Sequence, residues 1–366
     1  VAVVNGGEFT MNGGSIQDCF LKTAVDYTNA SYLQYVFGFD YQAANNLFVN
    51  SGAGAGVFVS NGAVFKMNGG EIKNNTISTQ DESVKSYGVG GGIAVLANMD
   101  SLDITARAEV TGGTIEGNKA TLGGGGIAVC GMMPFAYAIS NSYAPGGGSG
   151  TTAPGLFING TEEKPVQIKN NSADGWEDYS VGGGGILLAS LNDAAKVQIK
   201  NAEISGNKVT TNAPGGDDFY KNGNSTVNAL PTAEQMSAAA KNAVISGWYE
   251  DKTENRYNEA TAVKYTPEPS TTESLQLKAV KAAQYAVTFD WNDGSSRTET
   301  VSALAGTALG DQMPAAPTRS GYTFTGWTTQ ADGQGTVFNK DTVVNGTLTV
   351  YAQWNKNSGG GDGGST

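Results

Sequence analysis

The chain has 366 residues, enough for two domains with real cores. It carries 22 Lys and Arg against 34 Asp and Glu, a formal net charge of -12, which disfavours a nucleic-acid ligand or an anionic membrane surface. With 52 Gly, 10 Pro and no Gly-X-Y period it needs many tight turns and is not collagen; its 15% charged residues suit a β-rich exterior protein.

Short strings recur along the first half. FTMNGGSI ends at Ile16 and FKMNGGEI at Ile72; VTGGTIEGN surrounds Ile115, and VQIKN begins at Val166 and again at Val197. GGGIAV at Ile93, GGGGIAV at Ile127 and GGGGILL at Ile186 alternate with them. Each unit holds three short β runs, and the spacing predicts about five units, starting at Val1, Ala55, Gly91, Gly124 and Gly183. Alternation puts Phe9 with Met11, Phe65 with Met67 and Val197 with Ile199 on one face. One unit cannot bury that face alone, but stacked units can, each run pairing with the same run of the next. Coils about 4.8 Å apart would make a rod of roughly 24 Å. Gly supplies positive φ at the corners. Asn74, Asn118, Asn170 and Asn207, where third runs end, are expected both to turn the chain and to stack as a hydrogen-bonded ladder.

These coils resemble the right-handed parallel β-helix regions of bacterial surface proteins, described as adhesin-like or pectin-lyase-like. The resemblance covers residues 1–210 and implies a fold more firmly than an activity. The fold class expected is therefore all-β: a β-helix over 1–211, followed by a connecting or capping segment over 212–283. Aromatic and acidic insertions interrupt the period at Phe20–Ser51, Gly131–Pro154 and Trp176–Tyr179. The first is expected to cover the N-terminal part of the column. The spacing predicts a helix over Thr232–Asn242, capped by Thr232.

From Gln284 the pattern changes. YAVTFDWNDGS reads as a strand and a hairpin-type turn at Asn292-Asp293-Gly294, and RTETVSAL as a second strand. With Pro317-Thr318-Arg319, Gly321-Tyr322, Phe324, Gly326-Trp327 and Tyr351-Ala352-Gln353-Trp354, the stretch 284–355 resembles the internalin-type B repeat, also called the Listeria–Bacteroides repeat. The resemblance implies a small β-grasp-like C-terminal domain found in secreted or wall-attached proteins. Trp327 and Trp354 are expected in or against its core. Residues 356–366 read as a Gly/Ser-rich linker.

The chain has no histidine, which removes Ser-His-Asp and Cys-His catalysis and HExxH zinc sites. Two distant cysteines, Cys19 and Cys130, read as buried free thiols. No cofactor and no metal site is expected. Carboxylate chemistry remains open to Asp81-Glu82, Glu177-Asp178 and Asp217-Asp218, each of which also reads as decoration of a solvated loop. A lyase would need cations for acidic sugars, yet Arg107 is the only Arg before Arg256. The ligand-binding candidates are Trp176, Asp178 and Tyr179, two rings able to stack on a sugar and a carboxylate able to accept its hydroxyls. The expected function is a non-catalytic secreted or cell-surface protein, adhesin-like, contacting host or matrix glycans or proteins. The alternative is a polysaccharide lyase or glycoside hydrolase on the same scaffold. No nucleic-acid partner, no membrane insertion and a monomeric state are expected. Since the chain begins at Val1, it reads as a mature or excised fragment, attached to the bacterial wall through a region outside it.

Overall fold

The computed structural model describes residues 1–23, 51–60, 62–79, 87–96, 106–130, 155–175, 182–189, 196–210, 215–221, 226–240, 243–271 and 273–357. They fall into two compact units, Val1–Lys281 and Ala282–Thr366. The protein is all-β with long parallel sheets, as the repeats predict, an arrangement compatible with a β-helix.

The first unit is built from parallel ladders. One runs through Ala2–Val3, Val57–Val59, Ile93–Leu96, Ile127–Cys130, Ile186–Ala189 and Phe219–Lys221. A second contains the ten-residue strands Val64–Lys73 and Arg107–Glu116. A third joins Phe20–Thr23, Thr76–Thr79, Lys119–Ala120, Ser172–Ala173 and Lys208–Val209. Register stacks like on like: Ile93 faces Ile127, which faces Ile186, which faces Phe219. Ile72, Ile115, Ile168 and Ile204 form another column, fully buried. Identical apolar side chains in register bury one another without change of shape from coil to coil, which is how short runs acquire a common core.

Two details differ from the sequence reading. The second and third runs of the middle coils are one strand, bent at the Gly pair, where the pairing of Arg107–Glu116 with Val64–Lys73 shifts register around Gly112. The first ladder also continues past residue 211 into Phe219–Lys221, because Phe219 fills the place of Ile186 although no Gly triplet precedes it.

The glycine corners combine two requirements. Gly124 has φ +65°, which favours glycine. Its neighbour Gly125 is fixed by space: a Cβ there would lie 2.2 Å from the Ser172 carbonyl oxygen and 2.5 Å from that of Gly184.

The asparagines divide the labour expected of each. Asn74 and Asn170 adopt φ 54° and 55°, and Gly117 and Gly206 take that role elsewhere. The ladder is made by the following residues, Asn75, Asn118, Asn171 and Asn207, all buried. Each Nδ2 donates to the Oδ1 of the next, at 2.9 Å for Asn75 to Asn118, Asn118 to Asn171 and Asn171 to Asn207. Each Oδ1 also accepts the backbone N–H of the preceding rung, such as Asn118 to Asn171 at 3.0 Å. In the first coil Cys19 stands at this position, its N–H reaching Asn75 Oδ1 at 3.1 Å.

Beyond Phe219–Lys221 the pairing turns antiparallel through Leu275–Lys281, Ile245–Glu250 and Lys264–Tyr265. The helix spans Ala233–Ala240; Thr232 Oγ1 accepts the Gln235 N–H at 3.3 Å, and Gln235 Oε1 accepts the Thr232 N–H at 3.1 Å. Met236, Trp248, Leu275 and Leu277 join the same core as the ladders, with Trp248 edge-on to Phe219 at 6.5 Å. Both cysteines are free; Cys130 is buried in a second apolar cluster with Leu96, Leu122 and Leu187, whereas Cys19 is half-buried rather than buried.

The second unit is a five-stranded sheet in the order Thr298–Leu304, Gln284–Asp290, Leu348–Lys356, Tyr322–Thr328, Val337–Phe338, with a two-stranded ribbon of Thr307–Ala308 and Val343–Val344. Its core centres on Val287, Phe289, Trp327, Phe338 and Val350.

Candidate functional site

Trp176, Asp178 and Tyr179 lie outside the described residues, as do Glu177, Asp81 and Glu82. Of the acidic pairs singled out in the sequence, Asp217-Asp218 is described, and the solvated-loop expectation fails for it: Asp217 is 5% exposed and Asp218 0%.

The register explains how two carboxylates come to be buried there. Phe219 pairs with Ile186, so Asp217 and Asp218 stand where the preceding coil has Gly184 and Gly185. A Cβ on Gly184 would meet Lys208 backbone atoms at 2.4 Å. One coil later the neighbouring strand, Leu275–Lys281, runs antiparallel and side chains are accommodated. Asp218 then completes the asparagine ladder. Its Oδ1 accepts the Asn207 N–H at 2.9 Å and Nδ2 at 2.8 Å, and its Oδ2 accepts the Ala279 N–H at 2.9 Å. Asp217 Oδ1 accepts the Val209 N–H at 3.0 Å, a donor at the last strand of the third ladder.

Charge is neutralised from the antiparallel side. Arg256 bridges Asp217 at 2.5 Å and Asp251 at 2.8 Å, and Lys278 reaches Asp217 at 2.7 Å. Asp251 Oδ2 accepts the Gly216 and Asp217 N–H groups at 3.1 and 2.9 Å, and its Oδ1 accepts that of Tyr257 at 2.9 Å. Burial pushes Asp251 up, but the Arg256 bond and these backbone donors outweigh it and hold the carboxyl below its ordinary value. For Asp218 burial wins over the Asn207 and Ala279 donors, and the carboxyl is pushed up to about 7. Burial lowers Lys278 and Arg256, yet their ion pairs outweigh it and both stay above their ordinary values.

Every oxygen of Asp217, Asp218 and Asp251 accepts a bond from the protein. What the arrangement does chemically is join ladder ends to an antiparallel strand. Glu203, 2% exposed, is held likewise, by Ser205 Oγ at 2.7 Å and Gln167 Nε2 at 2.9 Å. Among the described residues no cluster of three or more His, Cys, Asp or Glu side chains is arranged to hold a metal ion.

The second unit offers aromatic surface instead. Trp327 is buried, edge-on to Phe289 at 4.9 Å, while Trp354 is half-buried and donates from Nε1 to the Trp291 carbonyl at 2.9 Å, in line with the sequence expectation. Arg319 lies 4.0 Å from the Tyr322 ring centroid and 5.9 Å from that of Trp354; Arg297 lies 4.0 Å from Trp291. Asn292, at φ 48°, turns the chain and donates from Nδ2 to the Ala331 and Ala352 carbonyls. Trp291 and Asn292 belong to the WND string and Tyr322 and Trp327 to GYTFTGW; the strand Leu348–Lys356 pairs with both Gln284–Asp290, in parallel, and Tyr322–Thr328, antiparallel.

Residues 285–353 match the Listeria–Bacteroides repeat domain. The match lies within the second unit, and the repeat family is typical of bacterial surface proteins, a context this chain fits. No curated protein matches the chain. Among the described residues no helix is long and apolar enough to cross a membrane.

Proposed function

We propose that this is a non-catalytic, secreted cell-surface protein of adhesin-like character. A right-handed parallel β-helix of about five three-strand coils, closed by the segment 212–283, acts as a rigid stand. The β-grasp-like Listeria–Bacteroides repeat acts as spacer or contact unit, wall attachment being supplied by chain outside these residues. The observation that carries the reading is the pairing of that repeat with a stack whose buried acids are consumed in scaffolding. Contact with a host or matrix glycan or protein is assigned to Trp176, Asp178 and Tyr179, rings and a carboxylate suited to a sugar.

The test is an array of glycans and matrix proteins probed with the whole chain, run beside a reducing-end assay on polysaccharides. Binding that an Asp178→Asn, Trp176→Ala variant loses, without turnover, supports the proposal. Reducing ends released by the native chain but not by Asp178→Asn would overturn it in favour of a polysaccharide lyase or hydrolase.

A further inference from the structure

The strand Thr298–Leu304 forms one edge of the five-stranded sheet, and among the described residues its far side has no neighbouring strand. The phase of its pairing is fixed at both ends. Trp291 donates to the Arg297 carbonyl at 3.1 Å and Ala305 to that of Ala283 at 2.9 Å, so the odd-numbered residues bond inward. Thr298, Thr300, Ser302 and Leu304 therefore direct their backbone N–H and C=O groups outward. Of these, the Leu304 carbonyl accepts Thr307 Oγ1 at 2.9 Å; those of Thr298, Thr300 and Ser302 have no partner among the described residues.

Sheet edges are ordinarily guarded by brevity, Lys, Pro or a bulge. The opposite edge, Val337–Phe338, is two residues long. Thr298–Leu304 is seven residues, TETVSAL, with neither Lys nor Pro, and it pairs with Gln284–Asp290 without a bulge. Its one charge is Glu299.

The geometry points to this edge as a docking surface for a second copy of the chain, paired antiparallel about a two-fold axis through Val301. That register uses all four outward-facing residues: Thr300 opposes Ser302, and Thr298 opposes Leu304. It places Glu299 opposite Ala303, so the two Glu299 carboxylates never face each other. The half-buried Val301 meets its own copy on the core side of the sheet, closing apolar surface that each unit leaves open. A single edge pairing belongs to the small interfaces below about 1,200 Å², so the dimer is weak and reversible. The monomer expected from the sequence is its dilute form.

The experiment uses the whole chain. Sedimentation velocity over a concentration series should show a monomer passing to a dimer, and Ser302→Pro, which removes an outward N–H, should leave a monomer at every concentration. Thr300→Lys serves the same purpose if the proline variant melts early. Under mild oxidation Val301→Cys should give a disulfide-linked dimer, since Cα atoms of a non-hydrogen-bonded pair lie about 4.5 Å apart, within disulfide reach. Peptide mapping distinguishes that bond from any formed by Cys19 or Cys130. Thr298→Cys should not cross-link, its two copies lying about 20 Å apart in this register. Concentration-independent sedimentation, equal cross-linking from both positions, or association untouched by both Ser302→Pro and Thr300→Lys overturns the inference.

Discussion

Replacing Asn171 with Ala removes one rung of the buried ladder, and the structure sets the cost. The Asn171 amide accepts the Asn118 N–H at 3.0 Å and Nδ2 at 2.9 Å, and donates to the Ile115 carbonyl and to Asn207 Oδ1, both at 2.9 Å. Asn118 Nδ2 retains Ile72 and Asn207 Oδ1 retains the Asn171 backbone N–H. The Asn118 N–H loses its partner inside the buried column, while the Ile115 carbonyl keeps the Lys169 N–H that the strand pairing gives it. At about 1–3 kcal/mol for the one buried group left unsatisfied, the loss is about 1–3 kcal/mol, with a small cavity added. The control is Asn12→Ala, whose exposed Oδ1 accepts from Asn68 Nδ2 at 2.9 Å and which should cost under about 1 kcal/mol. Because stacked repeats need not unfold as one, the assay is hydrogen exchange read by peptide alongside thermal melting. Protection should fall over residues 115–118 and 168–171, while the second unit keeps its own. A variant as protected and as stable as Asn12→Ala would refute the claim that the amides carry the ladder.

Asp218→Asn keeps an acceptor for Asn207 but sets an amide N–H₂ against the Ala279 donor, and should cost about 1–3 kcal/mol at acid pH and less as pH rises through 7. The same variant tests linkage: the folded Asp218 carboxyl is raised to about 7, so its contribution is full below its ordinary value of 3.8 and is lost as pH rises through 7. Asp251, held low, contributes in the opposite sense, its share lost only as pH falls below the ordinary carboxylate range. Native stability should thus fall between about pH 4 and 7 more steeply than that of Asp218→Asn, as followed by urea midpoints, and parallel curves would contradict the assignment. Gly184→Ala puts a Cβ 2.4 Å from Lys208 backbone atoms and should abolish cooperative melting of the first unit or drop its midpoint by many degrees. In thiol labelling Cys19 should react first, while Cys130, fully buried and with its thiol pushed up to about 12, should wait for unfolding; equal rates would refute its burial.

The parallel stack was legible because its signal repeats: an apolar residue after each glycine cluster, and Ile after each Gly pair. The ladder was half legible. Asn74 and Asn75 are adjacent and chemically identical, and only their backbone angles separate the corner from the rung. The buried acids were misread because Asp217-Asp218 looks like any solvated pair until Phe219 is aligned with Ile186, which places both at glycine positions of the coil before. That alignment could have been found from the Gly-Gly preceding Asp217, had the match not depended on a third glycine. The covering of Ala94, Ala128 and Leu187 gave no signal, since alternation predicts them outward and they are buried. The second unit was legible through its strings, but its open edge depends on hydrogen-bond phase, which no composition records.

The amide column has a direction. From Asn75 to Asn207 every side chain donates toward the same end, so the small dipoles add rather than cancel, and the positive pole of the array meets the carboxylate of Asp218. Each rung offers its successor the same donor and its predecessor the same acceptor. A unit could therefore be deleted or duplicated within the column and the break would heal, whereas the anion has one place where it can sit. Length in such a molecule is free to drift over generations, while polarity is not.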